Sequence, residues 1–229
     1  MDDLERYPRL GQGVYTLAEA AKLTRLGGNR VRHWFKDRAD QAGRGPVFAS
    51  DFAPRHGEYA ISFLDLVDVC VVGQLRAFGV SMATVRSAYE ALGQQLSTAH
   101  PFCHSDLYTD GKKIFLSAAD VVGDETLSEI VSQQQFFLSV KERLVQIEYC
   151  DRTKLATRWF VANGIVVDPG IAFGKPVVRS TGKSTYIIYQ CYRANNKDVE
   201  LAAELFGLTE DDVHNAVEFE KRLRGHRAA

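Results

Sequence analysis

The sequence predicts a mainly α-helical chain with small β elements, an α+β fold carrying a helix pair near each end. Three observations lead there. Capping residues (Thr16, Ser62, Ser81, Thr209) stand immediately before stretches whose apolar residues recur at helical spacing. Short runs rich in β-favouring residues lie between Gly- and Pro-containing breaks. The 229 residues, 45% hydrophobic, are enough to bury a sizeable core. The expected division is 1–98, 99–160 and 161–229: two domains joined by a small α+β connector.

The first helix pair is the most informative stretch, Val14–Asp37. Thr16 and Glu19 stand three apart, as a reciprocal capping pair requires. Leu17, Ala20, Ala21 and Thr24 form the inner stripe, and the alanines are small enough for a second helix to cross closely. Gly27-Gly28 is expected to end the helix with a positive-φ turn, and Asn29 to cap the next. That second helix turns Val31, Trp34 and Phe35 inward and Arg30, Arg32, His33 and Lys36 outward. This is a helix-turn-helix pattern whose outer face suits a DNA groove, because arginine can hold phosphates or donate twice to guanine.

The elements that follow fit the same scheme. Val47–Phe52 and Glu58–Phe63 flank Ala53–Gly57, which predicts a hairpin whose tip presents Arg55 and His56 to a phosphate backbone. A plain surface loop explains the tip equally well. Ser62 and Asp65 open a helix over Phe63–Phe78, closed by Gly79, and Ser81 opens another over Met82–Leu96. Helix-turn-helix, wing, long helix and a helix opening at FGVSMATV together resemble the DNA-binding domain of MerR-type regulators over residues 12–96. His100-Pro101-Phe102 then breaks the helical pattern where such regulators continue into a long dimerising helix.

In the connector, Leu107-Tyr108 and Ile114–Leu116 flank an Asp-Gly hairpin signal, and Asp120–Gln135 has helical character. Arg143–Cys150 and Leu155–Val161 read as strands. A short helix is expected around Tyr186–Arg193. Asp198–Phe206 and Glu210–Leu223 form the second helix pair, with Thr209 and Asp212 as its capping pair. Ala202, Ala203, Leu205, Val213, Ala216 and Val217 echo the apolar positions of the first pair. The sequence VVDPGIAFGKPVV…AAELFGLTEDDVHNAVEFEKRL is similar to the C-terminal domain of a VapB-type antitoxin family. The family usually has a Gly-Thr-Arg-like segment after the GKPVV-type strand; here Ser180–Thr185 stands in its place. The resemblance implies a MerR-like reader joined to a domain that pairs with a PIN-domain ribonuclease toxin.

Charge divides the chain although its formal net charge is only −1. Residues 22–44 hold seven Lys or Arg against two acids, whereas residues 198–220 hold eight acids and no Lys or Arg. The first segment can attract a polyanion and the second should repel it. No apolar run approaches the eighteen residues of a membrane span, and the N-terminus is charged, so a cytoplasmic protein is expected. Cys70, Cys103, Cys150 and Cys191 show no metal-ligand or disulfide spacing. Gly182-Lys183-Ser184 mimics the end of a phosphate-binding loop, but Val177 occupies the position of its first glycine. His100, Cys103 and His104 crowd together without a partner cluster, and no catalytic constellation stands out.

The expectation is therefore an antitoxin without enzymatic activity, cofactor or metal. It would bind its own promoter, double-stranded DNA, as a homodimer through Asn29, Arg30, Arg32, His33, Lys36, Arg55 and His56. It would neutralise a PIN-domain ribonuclease, with Arg222, Arg224 and Arg227 as toxin-facing residues, an implication of the resemblance. A solvated terminus explains those arginines as well. The alternative is a MerR-like regulator that uses residues 101–229 as a small-ligand sensor.

Overall fold

The structure, a computed structural model, describes residues 11–35, 46–109, 123 and 146–225. Strand β1 (Tyr15–Thr16) leads directly into α1 (Leu17–Thr24), and α2 (Gly28–Phe35) follows after three residues. Next come β2 (Ala60–Ile61), α3 (Phe63–Ala77) and α4 (Met82–Leu96), then a 3₁₀ turn at Pro101–Cys103 and the short α5 (Asp106–Thr109). The remainder contains β3 (Ile147–Tyr149), β4 (Ala156–Ala162), β5 (Ile165–Val167), a 3₁₀ turn at Ala172–Gly174 and β6 (Val177–Val178). It ends in α6 (Thr185–Ala194), α7 (Val199–Phe206) and α8 (Glu210–Gly225). Among the described residues the fold is mixed α and β, as the sequence predicts. No described helix is long and apolar enough to cross a membrane.

The capping signals place helix starts well. Thr16 with Glu19 and Ser62 with Asp65 both form complete capping boxes, and the Ser81 side chain accepts from the Thr84 N–H. Each removes donors that a helix start otherwise leaves unpaired. The turn between α1 and α2 differs from expectation. Its left-handed residue is Arg25 (φ 58°), not Gly27 or Gly28, and Asn29 lies inside the first turn of α2 rather than capping it. The Arg25 and Leu26 amides donate back to Lys22 and Ala21 carbonyls, so the helix end is closed before the glycines are reached. Small size matters instead at Gly73 of α3, where a Cβ would lie 2.9 Å from Leu26 side-chain atoms. That close approach seats the turn on α3.

The expected wing is reduced to its tip. Arg55 and Glu58 exchange both backbone hydrogen bonds, at 3.0 and 2.8 Å, around His56 (φ 50°) and Gly57 (φ 78°). Two consecutive positive φ values define the tight turn favoured in hairpins. The flanking runs, however, do not pair with each other: β2 pairs with β1, and the 47–52 run is irregular. Trp34 explains the latter, because its carbonyl accepts from the Val47 and Phe48 amides. Phe48 is thereby drawn into an aromatic series with Phe35, Tyr89 and Phe102, the successive ring centroids 5.1–5.3 Å apart.

Leu107-Tyr108 belongs to the helical turn α5 rather than to a strand. The predicted hairpin partner at 114–116 and the predicted helix at 120–135 lie outside the described residues. Beyond them, β3-β4-β5-β6 form one antiparallel sheet, so a single sheet spans both sides of residue 160. Two cores result. The larger is built on α1–α4 and one face of β3–β5; the smaller joins β5 and β6 to α6–α8. Leu23 and Val161 pack against both.

Candidate nucleic-acid interface and partner surface

Helix α2 divides as its periodicity requires. Val31, Trp34 and Phe35 are buried, while Asn29, Arg30, Arg32 and His33 are exposed together on the opposite side. Arg55 and His56 are also exposed, at the tip of the tight turn. Lys36 and Arg227 lie outside the described residues. Near the turn, Lys22 and Arg25 add two further exposed cations that the sequence reading passed over as candidates.

The opposite end of the chain presents a different surface. Asp198, which caps α7, and Glu200, Glu204, Glu210, Asp211 and Glu218 of α7 and α8 are exposed. Glu220 is not part of that face: it is buried and accepts a 2.7 Å hydrogen bond from the Thr185 hydroxyl. Leu205, expected in the core, is instead 61% exposed. The described large apolar side chains that stand exposed are Ile171, Phe173, Tyr186, Ile187 and Leu205, all in this C-terminal segment. Arg224 stacks over Tyr186 and Tyr189, its guanidinium 5.6 and 4.7 Å from the ring centroids. Arg222 stacks over the buried Phe219, 5.8 Å away. The two arginines therefore lie on different aromatic supports.

The Ser180–Thr185 loop is tied down by three contacts. Ser180 donates to Asp212 at the start of α8, Lys183 donates to the Phe206 carbonyl, and Thr185 holds Glu220. Lys183 thus satisfies an otherwise open carbonyl at the end of α7, which accounts for the lysine of the phosphate-loop mimic.

A latch connects the two ends. The Tyr15 hydroxyl donates to the Gly174 carbonyl at 2.8 Å, and the Val14 N–H donates to Phe173 at 2.9 Å. Lys175 reaches the Val14 carbonyl and forms a 2.6 Å ion pair with Glu19. Ala172 and Phe173 hold positive φ values of 48° and 55°, and Gly174 follows at 81°. A Cβ at Gly174 would lie 2.1 Å from the Tyr15 oxygen, so only glycine fits. Beside the latch, a cleft of about 490 Å³ runs between α1 and the C-terminal helices, with Lys22, Lys175, Tyr186, Glu220 and Arg224 among its lining.

The crowded His and Cys residues have a structural account. His100 Nδ1 lies 2.8 Å from Asp68 and Nε2 lies 3.1 Å from Asp51. Tyr89 and Cys103 also donate to Asp68, and Cys103 to the Leu64 carbonyl. Burial alone would lower the His100 pKa, but the hydrogen bonds to Asp51 and Asp68 outweigh it and hold the value at about 10. Hydrogen bonding from His100 holds Asp51 below the usual carboxylate range. Asp51 and Asp65 with His100, and Asp68 with His100 and Cys103, are close enough to surround a cation. An imidazolium between two carboxylates already supplies the positive charge there. His104 lies apart from this group, its ring accepting from the Asp106 N–H.

Residues 165–219 match the family described as "Protein of unknown function (DUF433)". No curated protein matches the sequence. The fold resembles the crystal structure of Rv2018 from Mycobacterium tuberculosis. The TM-score is 0.71 at 24% identity, covering 91% of this chain and 99% of that one. At that identity the likeness speaks for the fold alone.

Proposed function

We propose that the chain is an antitoxin that represses its own operon. In this reading the exposed face of α2, with Arg30, Arg32 and His33, enters the major groove, and Arg55 and His56 contact the flanking phosphates. The observation that carries it is the separation of surfaces. One helix pair is basic outside, and the other is acidic with exposed apolar side chains beside it. The first suits a polyanion and the second a protein. The partner would be a PIN-type ribonuclease held by the C-terminal helices, with Arg224 on its aromatic support as a candidate contact. A homodimer is part of the proposal, because one eight-residue helix reads few base pairs.

The test combines two measurements on the full chain. It should bind its promoter in a mobility-shift assay, and it should relieve the growth arrest caused by the product of the adjacent reading frame. If that product is harmless, or growth arrest persists on co-expression, the antitoxin reading fails. The 490 Å³ cleft favours one second reading, a regulator that senses a small ligand between reader and C-terminal helices, since the volume falls in the range of ligand sites.

A further inference from the structure

A groove of about 340 Å³ lies between the end of α1, the edge of the sheet and the end of α8. Three cations line it: Lys22 and Arg25 from the first helix and its turn, and Arg222 from the last helix. No carboxylate is among the lining residues, and among the described residues none of the three forms an ion pair. On Arg222's own helix, Glu218 is paired with Lys221 at 2.7 Å, and Arg222 acts on it only as a weaker, unpaired charge. Three like charges around one groove repel one another unless an anion joins them. A second, independent observation points the same way. Trp159 also lines the groove, is only 2% exposed, and its indole N–H meets no acceptor among the described residues. Buried donors ordinarily have partners, and this one is left without an acceptor in the wall of the cationic groove.

We infer that Lys22, Arg25 and Arg222 form a phosphate site that holds the backbone of the DNA the chain reads. The inference rests on the DNA-binding half of the proposed function. Arg25 occupies the turn that leads into α2, so a phosphate held there lies next to the groove α2 enters. Stacking on Phe219 keeps the Arg222 guanidinium in place at little further entropic cost. The C-terminal helix thereby belongs to the nucleic-acid face at Arg222 and to the partner face at Arg224. This reassigns Arg222, which the sequence reading set against the toxin.

The experiment measures DNA affinity of the full chain by fluorescence anisotropy across salt concentration. The probes are a promoter duplex and an unrelated duplex, and the variants are Arg222→Ala, Arg222→Lys and Arg25→Ala. Arg222→Ala and Arg25→Ala should each reduce the slope of log K against log salt by about one, and weaken both duplexes equally. Arg222→Lys should keep the slope. Wild-type slope and affinity in Arg222→Ala, with promoter binding intact in the parent, overturn the inference and leave the DNA-binding reading standing. Absence of promoter binding in the parent removes both. Calorimetry with inorganic phosphate covers the other source of the same chemistry. Saturation that is lost in Arg222→Ala, with DNA binding unchanged, assigns the groove to a free phosphorylated ligand and overturns the DNA assignment.

Discussion

The two helix pairs are built on the same local rules and differ in what they expose. Helix α1 ends at a left-handed Arg25 and α7 at a left-handed Gly207, with φ values of 58° and 57°. In both, the next residue, Leu26 or Leu208, donates back to the carbonyl of an alanine five positions earlier. Both pairs use a threonine and an acid three residues later as a cap. The outer residues then diverge: Arg25, Arg30 and Arg32 in one, Glu200, Glu204 and Glu210 in the other. Backbone closure and surface charge are thus specified by separate positions. The same small scaffold can carry a basic or an acidic outer face without changing its turn.

The largest test of this comparison removes the latch that joins the two regions. Gly174→Ala places a methyl against the Tyr15 oxygen at a positive φ, and should destabilise the fold by about 3 kcal/mol or more. Chemical denaturation should report it, and Tyr15→Phe should cost less, about 1–3 kcal/mol, by leaving the Gly174 carbonyl unpaired. An effect of equal size in the two variants would show that the hydroxyl, not the glycine, holds the regions together.

Next in size is a pH effect confined to the N-terminal core. His100 has a folded pKa of about 10 against an ordinary 6.5, so its stabilisation is complete below pH 6.5 and is lost as pH rises toward 10. The loss should be on the order of a few kcal/mol. Melting curves of the parent and His100→Gln, taken from pH 6 to 10, should converge at the alkaline end. A constant difference between them would contradict the imidazolium.

Smaller changes separate charge from closure. Arg30→Ala and Arg32→Ala should each weaken promoter binding by about 1–3 kcal/mol if they contact bases, with melting temperature unchanged. Glu204→Ala, at the matching face of the acidic pair, should leave DNA affinity unchanged. Smallest are the turn substitutions. Gly207→Ala forces a side chain into the left-handed region and should cost about 1 kcal/mol, or roughly 2–4 °C in melting temperature. Arg25→Gly relieves the same strain and should be stabilising or neutral, while weakening DNA binding. Loss of stability there would mean the Arg25 side chain contributes to packing.

Most helices were legible because their signals are local. Ser62 with Asp65 and Ser81 mark the starts of α3 and α4, and Asp198 and Thr209 mark those of α7 and α8. What the sequence hid depends on distant partners. Nothing near Val47–Phe52 announces that the Trp34 carbonyl takes its amides in place of a strand. Nothing near Leu155–Val161 shows that it shares a sheet with Val177-Val178. The buried charge network did leave a trace: Asp65 and Asp68 interrupt the otherwise apolar first part of α3, and both are buried. Two acids on the inner side of a helix call for buried partners, and His100 and Ser62 supply them. Arg30, Arg32 and His33 of α2 lie on the exposed side, as expected, because burial follows the helical period. Arg222's groove was not legible, since it forms only where chain segments some two hundred positions apart converge.

The Tyr15–Gly174 contact also sets an order of events when the chain is made. Synthesis adds roughly 5–20 residues per second, so the 159 positions between these partners correspond to about 8–32 s. Throughout that interval β1 and α1 exist without their clamp, and the Tyr15 hydroxyl and the Glu19 carboxylate lack their C-terminal partners. A nascent or truncated chain ending before residue 174 would present β1 and α1 to proteases without the contacts that hold them in the folded protein. The N-terminal strand and helix therefore reach their final contacts only after the C-terminal half has been made.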